Sequence, residues 1–311
     1  MIVSVTANTT IDQTLFIPKF ERNRTMRARA TVQSMGGKPT DASWILGELG
    51  IPSLALGFAA GAMGEKVKAL LHARGVTTDF IAVGGDTRLN VVIISEEDDW
   101  ASTITTSTLE VTPEHVAALR ARYLTALNEA TVVVLGGTLP RAMPPAFYTE
   151  FIGLARDRDI PVIFDAAEPN LSAGLAAAPT YIKPNHDELA ALVGQPELSL
   201  EGAYAAGLAL LDQYGTAPII TLGGEGALAV LPEGIAYRIP PLPIAVVSAS
   251  GAGDGVLAGL AASILRGQPI EEGLKLGFAA AAAVCLQAGT ADCRRADVER
   301  LLPQVALIPY P

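Results

Sequence analysis

The chain has 311 residues, half of them hydrophobic and 17% charged, enough to bury a large core without disulfides or metal. With 22 basic and 32 acidic residues its formal charge is −10, which excludes a general phosphate-backbone binder but not a small anionic ligand. Two cysteines, Cys285 and Cys293, exclude a disulfide framework, and neither stands in a C-x-x-C pair that would suggest structural zinc.

The first residues, Met1–Thr6, lack a basic leader and read as a strand. Strands are predicted at 2–7, 53–58, 132–135, 162–165, 180–182 and 218–222. Helices are predicted at 41–49, 64–73, 113–127, 145–158, 187–193, 200–213, 253–265 and 270–287. Such alternation predicts βαβ units and a mostly parallel sheet covered on both faces. Two stretches without helical period, about 12–34 and 88–106, read as strands standing away from the main sheet, together one small β-lid on a single domain spanning 1–311. The longest apolar runs, Val256–Leu265 and Leu276–Leu286, are too short for a bilayer core of about 30 Å. The expectation is a cytoplasmic protein with no membrane and no nucleic-acid partner.

In a parallel α/β sheet, ligands bind beyond the carboxyl ends of the strands, so the residues after each strand carry the chemistry. The strongest signal is Ser250-Gly251-Ala252-Gly253-Asp254-Gly255, after the β-like run Ile244–Val247 and before an apolar helix. Glycines at a helix N-terminus let backbone N–H groups converge on an anion. A carboxylate there repels phosphate, so Asp254 suggests a base beside an anion hole; the plain alternative is a helix cap. Gly36-Gly37-Lys38 places a mobile cation at a flexible turn, either to hold a phosphate or polyol or as an exposed turn lysine.

Lys183-Pro184-Asn185-His186-Asp187-Glu188 reads as a capping box, or as a carboxylate holding hydrated Mg²⁺ through water. Thr221-Leu222-Gly223-Gly224-Glu225-Gly226 fits a hairpin or a nucleotide site. Asp12 and Asn90 can bind hydroxyls and Arg88 can fork a phosphate, although taken singly each reads first as a surface residue. Thr138 follows a strand in Gly136-Gly137-Thr138. The three histidines, His72, His115 and His186, are scattered and support neither a metal cluster nor a catalytic triad.

In this order the segments resemble the ribokinase-like carbohydrate kinases, within them the phosphofructokinase B group that includes 1-phosphofructokinases and tagatose-6-phosphate kinases. The resemblance covers nearly the whole chain. It implies a three-layer αβα sandwich with a mostly parallel central sheet and a small β-sheet lid, pairing between subunits of a homodimer. It implies Asp254 as base, with the backbone of Gly251, Ala252 and Gly253 as anion hole. Asp12, Gly37, Lys38, Asp41, Arg88, Asn90 and Thr138 match the substrate side. Lys183, Asn185, Thr221, Gly223 and Gly226 match the ATP side, and Glu188 matches a residue linked to Mg²⁺.

The sequence departs from the group in three places, the mildest being Ala249-Ser250 where relatives read Thr-Val before the anion-hole turn. Relatives read Gly-Gly-Lys-Gly-x-Asn-Val-Ala where this chain reads Gly36-Gly37-Lys38-Pro39-Thr40-Asp41-Ala42-Ser43. The lid-strand Arg before a Pro-Gly turn is absent from Ala101–Thr106. An ionised Asp only accepts hydrogen bonds where Asn also donates. The expected activity is ATP-dependent phosphorylation of a ketohexose phosphate resembling fructose 1-phosphate. The alternatives are a kinase of an unphosphorylated sugar, polyol or nucleoside, and a non-catalytic sugar or nucleotide sensor.

Overall fold

The computed structural model describes residues 1–98, 100–106, 108–141 and 143–311. A ten-stranded sheet forms the centre, in the spatial order Ile308–Pro309, Ala236–Ile239, Ala227–Val230, Ala217–Thr221, Tyr181–Ile182, Val162–Asp165, Val132–Gly136, Ile2–Thr6, Ser53–Ala59, Thr77–Ala82. From Thr77–Ala82 through Ala217–Thr221 all pairings are parallel, and the last three strands add antiparallel. The central strands are apolar on both faces because helices cover both. Val132 and Val134 join the core beneath helices Lys38–Glu48 and Ala252–Leu265, while Val133 and Leu135 join the opposite core with Tyr123 and Phe151.

The first strand uses its hydroxyls to seat a helix. Thr6 accepts from Thr40 Oγ1 at 2.6 Å and Ser4 from Ser43 Oγ at 2.8 Å, all four buried. These bonds fix the start of helix Lys38–Glu48 against the carboxyl end of the strand. That helix begins at Lys38, earlier than the expected start at Asp41, because Pro39 suits a first helical turn and Gly37, at φ 101°, turns the chain into it.

Helices Ala252–Leu265 and Ile270–Cys285 pack backbone to backbone through Gly255, Gly259, Gly273 and Gly277; a Cβ on Gly259 would collide with Gly277. Gly259→Ala is expected to destabilise by about 1–3 kcal/mol, as overpacked cores do, read as a lowered Tm.

Both excursions from the main sheet form one four-stranded sheet, Ala30–Gly36, Thr10–Ile17, Arg88–Ser95 and Trp100–Ile104, in that order. Its strands cover parts of the expected 12–34 and 88–106; Asp99 lies outside the described residues. The expected β-like run Ile244–Val247 is not a strand. Its N–H groups are spent on turn and helix-end carbonyls: Ile244 N donates to Leu242 O at 3.0 Å and Val247 N to Cys285 O at 2.8 Å. Among the described residues no helix is long and apolar enough to cross a membrane.

Candidate active site

The carboxyl ends of the parallel strands gather the candidate residues, but around a carboxylate that the sequence reading did not single out. Asp165 ends the continuous apolar strand Val162–Asp165 and is buried. Lys38 Nζ lies 2.5 Å from its Oδ1 and Lys183 Nζ 2.8 Å from its Oδ2. Burial alone would raise Asp165, yet Lys183 and Lys38 together hold it below its ordinary value. Its one visible signal was a carboxylate closing an otherwise apolar buried strand at the ligand edge. Lys38 also lies 3.4 Å from Glu188 Oε1. It is therefore an inward-facing, ion-paired residue and not an exposed turn lysine.

Asn185 and Glu188 form the capping box: Glu188 N donates to Asn185 Oδ1 and Asn185 N to Glu188 Oε2, both at 2.8 Å. That bond uses one carboxylate oxygen and leaves the other facing Lys38, so cap and site are the same residue. Among the described residues no three His, Cys, Asp or Glu side chains cluster as a metal site. His115 belongs to a second capping box, and His186 meets Leu198 O at 2.6 Å.

Asp254 lies in the first turn of helix Ala252–Leu265, buried, with Gly251 ahead of it in the left-handed region at φ 79°. A side chain on Gly251 would strike the Ala291 backbone, and one on Gly253 would stand 2.9 Å from Lys183 Nζ. Glycine thus lets the helix N-terminus press onto Lys183. The first N–H groups of a helix have no intrahelical acceptor, which suits an anion here. Ala252 N donates to Ala249 O at 3.2 Å, so this turn partly occupies that N–H itself. Burial first, then Asp165, push Asp254 up to about 7, against Lys183 and Lys38. Asp41 is buried as well, and burial first, then Asp254 and Asp12, push its carboxyl well above the ordinary carboxylate range.

The small sheet supplies the facing wall. Its central parallel pairing sets Thr10 beside Arg88 and Asp12 beside Asn90. Asn90 Nδ2 donates to Asp12 Oδ1 at 3.0 Å, and Arg88 donates to Thr10 Oγ1 at 2.6 Å and to Thr106 O at 3.3 Å. Arg88 is buried rather than on the surface. Asn8 Nδ2 reaches Thr138 Oγ1 at 3.2 Å, bringing Thr138 to the same cleft from the main sheet. Asn8 Oδ1, Asp41 Oδ1 and Asn90 Oδ1 are buried and have no hydrogen-bond partner among the described residues. Native structures leave few such atoms, so acceptors gathered like this call for a ligand rich in hydroxyls.

On the other side of Gly253 lies a cavity of about 480 Å³. Asn185, Thr221, Gly223 and Gly226 line it; Lys183 stands outside, behind Gly253. The rest of its wall is apolar, with Leu242, Val246, Val256 and Phe278, none of which the sequence marked. The Thr221–Gly226 segment is the hairpin connection to Ala227–Val230, and Thr221, Gly223, Gly224 and Gly226 also line this cavity. Helix Ala252–Leu265 thus stands with its N-terminus between a flat apolar slot and a polar cleft holding a buried carboxylate.

Solved structures share this architecture. Escherichia coli phosphofructokinase-2 in complex with potassium matches with TM-score 0.88 and 25% identity, over 97% of this chain and 98% of that one. The sandwich with its separate small sheet is a ribokinase-like fold, and the family match and relatives below make the chain a phosphotransferase with a hydroxyl acceptor. Residues 2–297 match the family described as pfkB family carbohydrate kinase, and the chain belongs to that family. The 1-phosphofructokinase of Bacillus subtilis is 30% identical over 307 residues, 98% of each chain. The tagatose-6-phosphate kinase of Staphylococcus epidermidis is 26% identical over 99% of each. The sensor reading gives way to a kinase.

Proposed function

We propose that the protein transfers the γ-phosphoryl group of ATP to a hydroxyl of a ketohexose phosphate resembling fructose 1-phosphate. The observation that carries this reading is the helix N-terminus at Gly251–Asp254, between the apolar cavity and the cleft of orphaned oxygens. Both curated relatives named above act on ketohexose phosphates by their names.

The adenine of ATP fits the apolar slot against Phe278 and Val256, with its phosphates running past Asn185 and Thr221 toward Gly253. Asp254 takes the proton of the acceptor hydroxyl; that oxygen bonds to the γ-phosphorus as the bond to the β-phosphate oxygen breaks and ADP leaves. The N–H groups of Gly251, Ala252 and Gly253, with Lys183, steady the charge spread over the transferring group. Asp12, Asn90 and Asp41 hold acceptor hydroxyls, and Arg88 and Lys38 stand nearest its phosphate. Glu188 Oε1, outside its cap bond, is placed to hold a hydrated Mg²⁺ through water, in keeping with an ion that retains waters and rides on phosphates. Bound Mg²⁺ would supply neutralisation of phosphate charge.

The small sheet acts as a lid that excludes water. Leu89 and Ile104, exposed on it, support its pairing in a homodimer. Free Cys285 and Cys293 accord with the cytoplasm. One observation favours a second reading: Lys38 is committed to Asp165 and Glu188, and Arg88 to Thr10 and Thr106, which suits an unphosphorylated sugar or polyol.

ADP release with Mg-ATP decides between them, measured across fructose 1-phosphate, fructose 6-phosphate, tagatose 6-phosphate, free hexoses, inositol and nucleosides. A kcat/KM above about 10⁴ M⁻¹s⁻¹ for one phosphorylated ketohexose is expected. Turnover of unphosphorylated acceptors alone would establish the second reading.

A further inference from the structure

One row of side chains crosses three strands of the small sheet. The antiparallel register sets Ser34 opposite Asp12, and the parallel register sets Asp12 beside Asn90. Side chains directly opposite on neighbouring strands share a face of the sheet. All three are buried, and Asn90 Nδ2 donates to Asp12 Oδ1 at 3.0 Å. Ser34, at the end of the row, has a partner from a distant part of the chain.

That partner is Thr290, in the connection that follows helix Ile270–Cys285. Its backbone N–H donates to Ser34 Oγ at 2.8 Å. Its hydroxyl lies 3.0 Å from Ser250 Oγ, and the next residue, Ala291, donates its N–H to Ser250 O, also at 3.0 Å. Ser250 immediately precedes Gly251, where the turn at the N-terminus of helix Ala252–Leu265 begins. Thr290 thus touches the row of the small sheet on one side and the glycine turn on the other. Among the described residues no other hydrogen bond joins the small sheet to the second half of the chain.

The connection is built to hold its place. Ala291 stands at φ 52°, which side-chain-bearing residues adopt only where the surroundings impose it. Its backbone is pressed so closely on Gly251 that a Cβ there would lie 2.4 Å from Ala291 N. Asp292 is pinned by Arg74 Nη2 at 2.6 Å. A segment fixed in this way transmits a displacement of the turn instead of absorbing it.

We propose that Thr290 is a positioning residue: through Ser34 and Ser250 it ties the row that holds acceptor hydroxyls to the turn that holds the transferring phosphoryl group, so that nucleotide at the turn orders the small sheet for the acceptor. The inference rests on the reading of Gly251–Asp254 as the place of phosphoryl transfer. Transfer needs the acceptor oxygen and the phosphorus in register, and a misplacement of about 1 Å can cost about 10²-fold in rate. The Thr290 N–H survives any change of its side chain, so the hydroxyl is the part that can be removed alone. Thr290→Val keeps the shape and cuts the link to Ser250; Thr290→Ser keeps the link.

The test is hydrogen–deuterium exchange of residues 30–36, none of which lines the nucleotide cavity, with and without Mg-ADP. In the wild type and Thr290→Ser, Mg-ADP is expected to slow exchange of this strand about tenfold. In Thr290→Val it is expected to bind as tightly and leave the strand unchanged. Ser250→Ala, which cuts the same link from the other side, is expected to behave as Thr290→Val does. In turnover, Thr290→Val is expected to lower kcat about 10–10²-fold with ATP KM unchanged, and Thr290→Ser to restore it. A merely structural role would lower Tm without altering the response of the strand to Mg-ADP. Equal protection in wild type and Thr290→Val, or none in the wild type, would overturn the proposal. If Mg-ADP does not bind, the functional reading falls, and exchange of the Thr290 amide in the ligand-free protein still decides the link. Faster exchange in both Ser34→Ala and Ser250→Ala supports it; an unchanged rate in either refutes it.

Discussion

Asp254→Asn is expected to lower kcat by about 10²–10⁴-fold, the usual contribution of a positioned general base, while leaving ATP binding in place. The amide fills the same space at the helix N-terminus but cannot take the acceptor proton. ADP release under saturating ATP reads the first effect, and ATP titration by calorimetry the second. Undiminished turnover would remove Asp254 from the reaction. The same variant carries a stability signature of opposite direction. Burial and Asp165 hold Asp254 at about 7 in the folded protein, above the unfolded value of about 3.9. Between those values the folded state binds more protons than the unfolded state, so stability falls as pH rises through that window. Asp254→Asn escapes this loss. Its Tm is expected to exceed that of the wild type at about pH 8 and to match it at about pH 4. A buried carboxylate kept at the expense of stability is the usual mark of a group retained for function.

The parts of this molecule that were legible in the sequence are those whose physics is local. Val132–Gly136 and Val162–Asp165 announce themselves as buried parallel strands because both of their faces are apolar. Gly251-Ala252-Gly253-Asp254 announces a special helix start because only glycine reaches φ 79° beside the Ala291 backbone without strain. Edge strand Thr77–Ala82 escaped notice, being half-exposed and lacking both an apolar run and an alternation. Ile244–Val247 misled in the other direction, since β-branched side chains favour strands but the Ile244 and Val247 N–H groups bond Leu242 O and Cys285 O instead of a neighbouring strand.

Charge relations were the least legible. Lys38 and Asp165 are separated by 127 residues, and nothing near either one identifies its partner. Asp12 and Asn90 were recognised singly as hydroxyl binders, but the pairing that makes them one unit is a parallel register between strands 78 residues apart. The orphaned acceptors Asn8 Oδ1, Asp41 Oδ1 and Asn90 Oδ1 are visible only in the folded chain, and they are the features that ask for a polyhydroxylated ligand.

Replacing Asp165 is expected to have the second large effect, and it reaches both stability and chemistry. Removing one partner of a buried ion pair leaves an uncompensated charge and costs about 3–5 kcal/mol; here two lysines lose their shared counter-ion. Asp165→Ala is therefore expected to unfold at much lower denaturant, while Asp165→Asn keeps the shape and a hydrogen-bond acceptor and loses less. The pH dependence follows from a carboxyl held below its ordinary value in the folded protein. Its stabilisation is present above the unfolded value of about 3.9 and is lost as pH falls through the folded one. The wild-type advantage over Asp165→Asn should accordingly shrink in acid. Chemistry changes through Asp254, which loses a neighbouring negative charge and gains a Lys183 released from its ion pair, while Lys38 keeps Glu188. Its carboxyl should ionise more readily, so the acid limb of kcat in Asp165→Asn is expected to move below about 7. Purely structural damage would lower kcat without moving that limb. Unchanged stability together with an unmoved limb would mean that Asp165 does not govern the charge of this site.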